Sequence, residues 1–332
     1  YAQYDGHPTE DLNVIIGARF DSHSEYNSQF SPKAAVRYKI TDKLAIKGSV
    51  GYGFKAPDFR QLYFDFTNSF VGYTILGFNT VTSIIPELLD SGQITSIIVP
   101  VSEYTGELKP ENSVGINFGG TFNPISELKF ELNLFRNDIS DLIDTRLIAN
   151  KINGQGVFSF YNVNKAYTQG VEFNTSWRAN DQLKISGGYQ LLFAKDKDAE
   201  EAFRNGEVFA RLSPSSPSFQ LDEDDYFGLY NRSRHMVNMK IFYVFDEWNL
   251  DTNIRGTYRS KYGLFDTNGN RYLENYDDFV NAYSIWDWAV NNTFNSKYLI
   301  VLGVDNIFDF PDSPESATDV LYLCNIQRRI LY

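Results

Sequence analysis

The stretch from Pro57 to Glu107 concentrates the side chains best suited to holding a ligand. Phe59, Arg60, Tyr63, Phe66, Tyr73, Phe78 and Tyr104 offer flat rings, a fixed cation and phenol oxygens. Such rings suit a flat hydrophobic or catecholate ligand, and phenol oxygens are hard donors that can coordinate ferric iron. The apolar phrases IIPELL and SIIVPV lie in the same stretch. Loops this long are usually functional or disordered. The competing reading has these rings packing the loop on itself or standing in an interfacial girdle.

Oxygen ligands recur elsewhere. Asp266, Asn268 and Asn270, followed by Glu274 and Asp277, have spacings like those of a calcium loop. Arg271 stands where such a loop needs glycine, and strands rather than helices flank it, so a solvated polar loop is the alternative. The run Asp222 to Asp225 suits a cation, a basic partner or plain solvation. The histidines are His7, His23 and His235, which read as solvated or girdle residues. Glu131 and Glu172 resemble an acid pair, yet they share faces with lysines and arginines, which favours structural pairing. No GxSxG, HExxH or Ser-His-Asp set is present, which disfavours hydrolases. The lone Cys324 excludes an internal disulfide, and no CxxC suggests zinc.

These residues must be positioned by strands. Leu44, Ile46, Gly48, Val50, Tyr52 and Phe54 alternate with Ala45, Lys47, Ser49, Gly51, Gly53 and Lys55. A period of two means an extended strand with unlike sides, the lysine side facing water and the other something apolar. The same alternation recurs at 12–20, 30–40, 114–122, 128–134, 171–177, 183–193, 237–245, 250–258, 286–294 and 298–304, with a short closing stretch, Gln327 to Tyr332. Tight turns fall at Thr41-Asp42-Lys43, Asn123-Pro124-Ile125-Ser126, Ala179-Asn180-Asp181, Asp246-Glu247 and Asn295-Ser296-Lys297. Loops are expected at 57–107, 140–158, 196–229, 263–281 and 309–325.

That makes about twelve strands, many long enough to cross a tilted bilayer path. Short turns on one side and long loops on the other match an outer-membrane barrel. Composition agrees: 27 Phe and 22 Tyr stand against 2 Met. Mean hydropathy is −0.34, which a barrel tolerates because only alternate residues meet lipid. A net charge of −12 argues against nucleic acid. The fold expected is therefore all-β, an antiparallel transmembrane β-barrel. If a full barrel has about 22 strands, these are the last twelve, with the first strands and a plug domain upstream; a twelve-strand barrel closing on itself is the alternative. The segment YAQYDGHPTEDLNVIIG reads as the middle of something rather than a start.

The phrase GYGFKAPDFRQLY resembles the signature of TonB-dependent outer-membrane receptors. In that family a Phe-Arg-Ala-Pro-type box precedes a long loop, and a Leu-x-Pro-Glu box follows it. Here the boxes are Phe54-Lys55-Ala56-Pro57 and Leu108-Lys109-Pro110-Glu111. SPKAAVRYKITDKLAIKGSVG, LFRNDISDLI, YNVNKAYTQGVEF and VLGVDNIFD are also similar, in the family's order and over nearly all of the chain. The resemblance implies uptake across the bacterial outer membrane, with no covalent chemistry. The ligand would be an iron chelate such as a siderophore, or heme, with cobalamin next. It would bind extracellular loops and a plug, and a periplasmic TonB-type energy-coupling protein would drive release. A surface lipoprotein partner is left open. Some heme receptors of the family place a His between the boxes, and this sequence has none there. A passive porin or a surface adhesion barrel is the alternative of another class.

Overall fold

In a computed structural model, residues 1–23, 28–213, 215–264, 266–294, 298–310 and 330–331 are described, with only the backbone at 163, 164, 330 and 331. Cys324, the turn Asn295-Ser296-Lys297 and most of the closing stretch lie outside the described residues.

The strands follow one another as β1 Ala2–Thr9, β2 Leu12–Asp21, β3 Gln29–Lys39, β4 Leu44–Lys55, β5 Glu111–Ile125 and β6 Leu128–Lys151. They continue as β7 Gly156–Arg178, β8 Leu183–Asp196, β9 His235–Phe245, β10 Leu250–Arg259, β11 Tyr283–Phe294, β12 Tyr298–Val304 and β13 Ile330–Leu331. Each pairs antiparallel with its neighbour in sequence, forming one continuous up-and-down sheet. Among the described residues the path stays open: β1 pairs with β2 and β13 with β12.

Register separates the two faces. Tyr4, Ile16, Ala34, Val50 and Ile116 lie directly opposite one another across β1 to β5, on the face that also carries Phe118, Leu132, Leu134, Phe173 and Trp177. These large apolar side chains are exposed, Phe118 by 57%. A face this apolar belongs in hydrocarbon. The opposite row runs Lys47, Gly119, Asn133, Glu172, Gln190, Met236 and Arg259. It is largely polar and concave, and a hollow of about 480 Å³ opens among Arg37, Lys47, Glu131, Asn133 and Glu172. Here Gly170 lets the sheet close up, since a Cβ there would stand 1.9 Å from the Leu191 carbonyl oxygen.

Two sequence expectations are corrected. β1 lies outside the alternation expected from the sequence, which Gly6 and Pro8 interrupt; the strand absorbs them at a register shift between Gly6 and Thr9, next to an edge that no strand pairs with among the described residues, where proline is tolerated. With β1 in front of β2, the described sheet has one more strand than the alternation implied. The expected loop 140–158 is instead hydrogen-bonded strand over most of its length: β6 and β7 pair from Leu128–Trp177 up to Asn150–Gly156. The 24 residues of β6 span roughly 80 Å at strand rise, whereas crossing a bilayer takes about 9–11 residues. Beyond the membrane neither face meets lipid, so the alternation that betrays a spanning strand is lost.

Candidate functional site at the loop end of the sheet

The strand end before the long loop is closed by local chemistry. Ala56-Pro57 stops β4, and Asp58 then caps helix α1, Phe59–Tyr63. The Asp58 carboxylate accepts from the Gln61 backbone N–H at 2.7 Å, while the Gln61 side chain accepts from the Asp58 N–H at 2.9 Å. This reciprocal cap satisfies two N–H groups that a helix start otherwise leaves free.

The two boxes meet here. Lys55 and Glu111 are register partners across β4 and β5, and the Lys55 Nζ lies 3.0 Å from the Glu111 carboxylate. The same oxygen accepts from the Ile143 N–H at 3.1 Å. Asn162 fastens the second box from the β7 side. It accepts from the Lys109 N–H at 2.9 Å and donates to the carbonyls of Lys109, at 2.9 Å, and Asp141, at 2.8 Å. Asp141 has φ of 56°, a conformation that Asp tolerates better than most residues.

Between the boxes the chain folds into a compact body. Short strands Asp65–Thr67 and Thr74–Leu76 pair, and the second runs parallel to Val157–Ser159 of β7. Helix α2, Val81–Asp90, and the strand Ile94–Ile97 follow, the latter paired with β6. Leu62, Leu76, Phe78, Val81, Ile85 and Tyr104 form one apolar core with Ile143, Ile148, Val157 and Phe160 of the β6–β7 hairpin. Gly77 is required at the centre, since a Cβ there would sit 2.4 Å from the Tyr63 and Phe64 amide nitrogens.

This core divides the ligand candidates. Phe78 and Tyr104 are 7% and 2% exposed, with ring centres 5.1 Å apart. The Tyr104 hydroxyl accepts from Arg146 Nε at 3.2 Å, and Arg146 also pairs with Glu103 at 2.6 Å. Both rings belong to the loop's interior, so the expectation that they present themselves to a ligand is corrected: the chain packs them to bury apolar area. Phe59 is 78% exposed, Arg60, Tyr63 and Phe66 are also exposed, and Tyr73 is half-buried. Phe66 lies 6.2 Å from the Tyr73 ring. The structure therefore gathers Phe59, Arg60, Tyr63, Phe66 and Tyr73 toward the loop's surface. Asn162 and Arg146, which hold the loop in place, were not singled out from sequence; the YNVN phrase around Asn162 was the available signal.

The acidic loop is ordered by its own backbone. The Asp266 carboxylate accepts from the N–H groups of Asn268, Gly269 and Arg271 at 3.0, 2.7 and 2.5 Å. Asp277 accepts from Thr267 N–H and Oγ1 and from the Glu274 N–H. Asn270 Oδ1 accepts from the Tyr272 N–H at 2.9 Å. Glu274, completely buried, takes the Asn268 side-chain amide and the Tyr276 N–H. Burial pushes its carboxyl above the usual range, with the Asp277 charge adding to the rise. Oxygens that accept from N–H groups in this way close the turn through the loop's own donors, and among the described residues no group of three or more His, Cys, Asp and Glu side chains is placed to hold a metal ion.

The loop is also docked. Helix α3, Lys197–Arg204, starts at Asp196, and its Phe203 packs with Leu221, Tyr226 and Tyr272. Tyr226–Gly228 pairs with Leu273–Glu274, so the β8–β9 and β10–β11 loops interlock. The run Asp222 to Asp225 forms the turn into this pairing, with Asp222 N–H donating to Asp225 at 3.1 Å and Arg204 bridging Glu223. On the concave face, Glu172 accepts from Asn133 at 3.2 Å and Gln190 at 3.0 Å, and Glu131 pairs with Lys129 at 2.7 Å. His235 stacks on Tyr189, its Nδ1 2.9 Å from the hydroxyl, on the apolar face near the strand end where a girdle belongs. His7 lies 3.0 Å from Asn13 Nδ2, and His23 is exposed.

Comparison with known proteins places these features. The family profile described as TonB dependent receptor-like, beta-barrel matches residues 1–307. A probable TonB-dependent siderophore receptor of Acinetobacter baumannii, PirA, is 29% identical over 318 residues, covering 91% of this chain and 37% of its own length. A ferric enterobactin receptor of Pseudomonas aeruginosa is 22% identical over 302 residues, covering 88% of this chain and 35% of its own length. The crystal structure of the Acinetobacter baumannii siderophore receptor PirA superposes with a TM-score of 0.60 at 19% identity, over 92% of this chain and 41% of that one. The chain thus spans little more than a third of the length of these two curated relatives.

Proposed function

Because this chain belongs to the TonB-dependent receptor-like β-barrel family, we propose that it is the barrel portion of a receptor that takes up a scarce large nutrient across the bacterial outer membrane. The nutrient is an iron chelate of the siderophore type or heme, with cobalamin next. The observation that carries this reading is the pairing of two features: an apolar band faces outward while a polar concavity and folded loops gather on the other face and at one end. Names of the relatives support the substrate class, since they are siderophore and ferric enterobactin receptors. A passive porin fits less well, because the loops are folded bodies with their own cores.

Among the described residues no strand pairs with the lateral edge of β1, which supports a larger barrel. Lipid cannot satisfy its backbone N–H and C=O groups, so further strands would pair with it. A plug domain would then contact the polar concave face, where Glu172, Gln190 and Lys47 stand. A periplasmic TonB-type protein would pull on the plug, and release would follow from differential ligand binding by two plug states. Phe59, Arg60, Tyr63, Phe66 and Tyr73 are the ligand contacts of the long loop in this reading.

An absorbance titration of the detergent-purified full-length protein with hemin, ferric siderophores and cobalamin tests it. Saturable binding of one member, weakened by Phe59→Ala with Tyr63→Ala, is the expected result. Saturation by none would overturn the uptake reading.

A further inference from the structure

The lipid-facing side of the sheet does not end alike on all strands. Across β2 and β3 its last paired outward residues are Phe20 and Phe30, both exposed and uncharged. Across β6 to β8 it ends in charge. The row Leu134, Val171 and Leu191 is followed by Arg136, Gln169 and Phe193, then by Asp138, Tyr167 and Lys195, and then by Ser140 and Lys165. Residues two apart on a strand share a face, so all of these stand on the side that carries Leu132 and Phe173. Three cations thus meet one carboxylate on the outer wall, immediately past the apolar rows.

Helix α3 is laid on this wall. Lys197 Nζ lies 2.6 Å from the Asp138 carboxylate, and Arg136 donates to the same carboxylate through Nε at 2.8 Å and Nη2 at 3.0 Å. Lys195 pairs with Glu200 of α3 at 3.2 Å, and the Tyr167 hydroxyl donates to that side chain at 3.1 Å. Among the described residues neither Arg136 nor Lys197 has another ion pair, and Lys165, which is exposed, has none. Two cations therefore share one acid. They are open to a further partner, since Arg136 and Lys197 keep 40% and 37% of their side-chain surface exposed. An ammonium carries three donors and a guanidinium five, so both have N–H groups to spare.

Where apolar side chains give way to cations on a lipid-facing wall, the complementary molecule is an amphiphile with an anionic head. Phosphate oxygens suit it best, because Arg and Lys bind them through charge-assisted hydrogen bonds. We propose that a lipid of the loop-side leaflet with an ionised phosphate head docks on this wall, its acyl chains along Leu134, Val171 and Leu191 and its phosphate among Arg136, Lys197 and Lys165. The phosphate supplies the second negative charge that the two cations share too little of. It thereby fastens α3, and through Phe203 the interlocked β8–β9 and β10–β11 loops, to the barrel wall. This goes beyond the uptake reading and rests on the membrane placement of the face, not on the cargo.

The test is hydrogen exchange at 197–204 in the full-length protein, held in phosphatidylcholine nanodiscs with an increasing share of phosphatidic acid. Protection of α3 in the wild type is expected to rise with phosphatidic acid and to saturate. Lys165→Gln, at an exposed position with no ion pair, leaves packing untouched. It should behave as wild type in phosphatidylcholine alone and need about 5-fold more phosphatidic acid to reach the midpoint, the worth of one cation near an anionic headgroup. Asp138→Asn should loosen α3 in phosphatidylcholine, and phosphatidic acid should restore it, since the lipid phosphate takes over the carboxylate's role. Circular dichroism checks that both variants fold. Wild-type protection indifferent to phosphatidic acid overturns the inference. So does an unmoved midpoint in Lys165→Gln, or an Asp138→Asn helix that phosphatidic acid does not restore. Inorganic phosphate that gives the same protection in phosphatidylcholine alone overturns the lipid as the occupant. None of these outcomes touches the uptake reading, which stands or falls on the ligand titration.

Discussion

Lys55 and Glu111 lie 3.0 Å apart although a whole folded loop separates them in the chain. The pair is asymmetric: Lys55 is mostly exposed, while Glu111 is largely enclosed and also receives the Ile143 N–H. Lys55→Ala should therefore cost under ~1 kcal/mol, as exposed ion pairs do. Glu111→Ala leaves the Ile143 amide unsatisfied and should cost about 1–3 kcal/mol. Urea unfolding in detergent, followed by tryptophan fluorescence, compares them. Equal costs would mean that the ion pair alone matters.

Asn162→Ala removes three hydrogen bonds to the backbone at Lys109 and Asp141. The second box then loses its anchor on β7. Limited proteolysis should cut within 57–107 sooner in the variant, while the protease-resistant barrel fragment stays intact. Unchanged cleavage kinetics would show that the apolar core alone holds the loop.

Tyr104 and Tyr63 should separate stability from binding. Tyr104→Ala opens a cavity between Phe78 and Arg146 and should destabilise the loop by about 3–5 kcal/mol. Tyr63→Ala, at an exposed ring, should cost far less stability than Tyr104→Ala and lower ligand affinity. Thermal melts paired with ligand titration decide this.

Glu274 makes the β8–β9 and β10–β11 loop pairing pH-dependent. Its folded carboxyl is raised by burial above the unfolded value, so the folded form holds the proton more tightly. The pairing is thus strongest below the unfolded pKa, and that contribution is lost as pH rises through the raised folded value. Hydrogen exchange at 226–228 and 273–276, corrected for intrinsic rates, should show greater protection at acid pH. Glu274→Gln should flatten the dependence. Protection that rises with pH in the wild type would contradict the assignment.

A chelator should leave that same loop unchanged, because the loop's own donors to Asp266, Asp277 and Glu274 hold the turn. Identical exchange patterns with calcium and with EDTA are expected. A calcium-dependent increase in protection at 266–277 would restore the cation reading.

The spanning strands were legible because a bilayer imposes alternation: Leu44 to Phe54 on one side and Lys47 to Lys55 on the other follow from chemistry alone. The boxes were legible as phrases, and the structure adds that they are partners. What escaped depended on neighbours distant in sequence. The upper part of β6 and β7 faces no lipid, so nothing in its residues marks it as strand. Tyr104 looks like a ligand contact until Arg146 and Phe78 surround it. Phe203, Tyr226 and Tyr272 come together only when two loops interlock, and no local spacing encodes that.

The shared core of the long loop and the β6–β7 hairpin has a consequence for engineering. Ile143, Ile148, Val157 and Phe160 are covered by residues of 57–107. Excising that loop while keeping the hairpin would leave a sticky apolar mast standing in water, prone to clump with its copies. The two segments form a single transplantable cassette, and a chimera that exchanges one should exchange both.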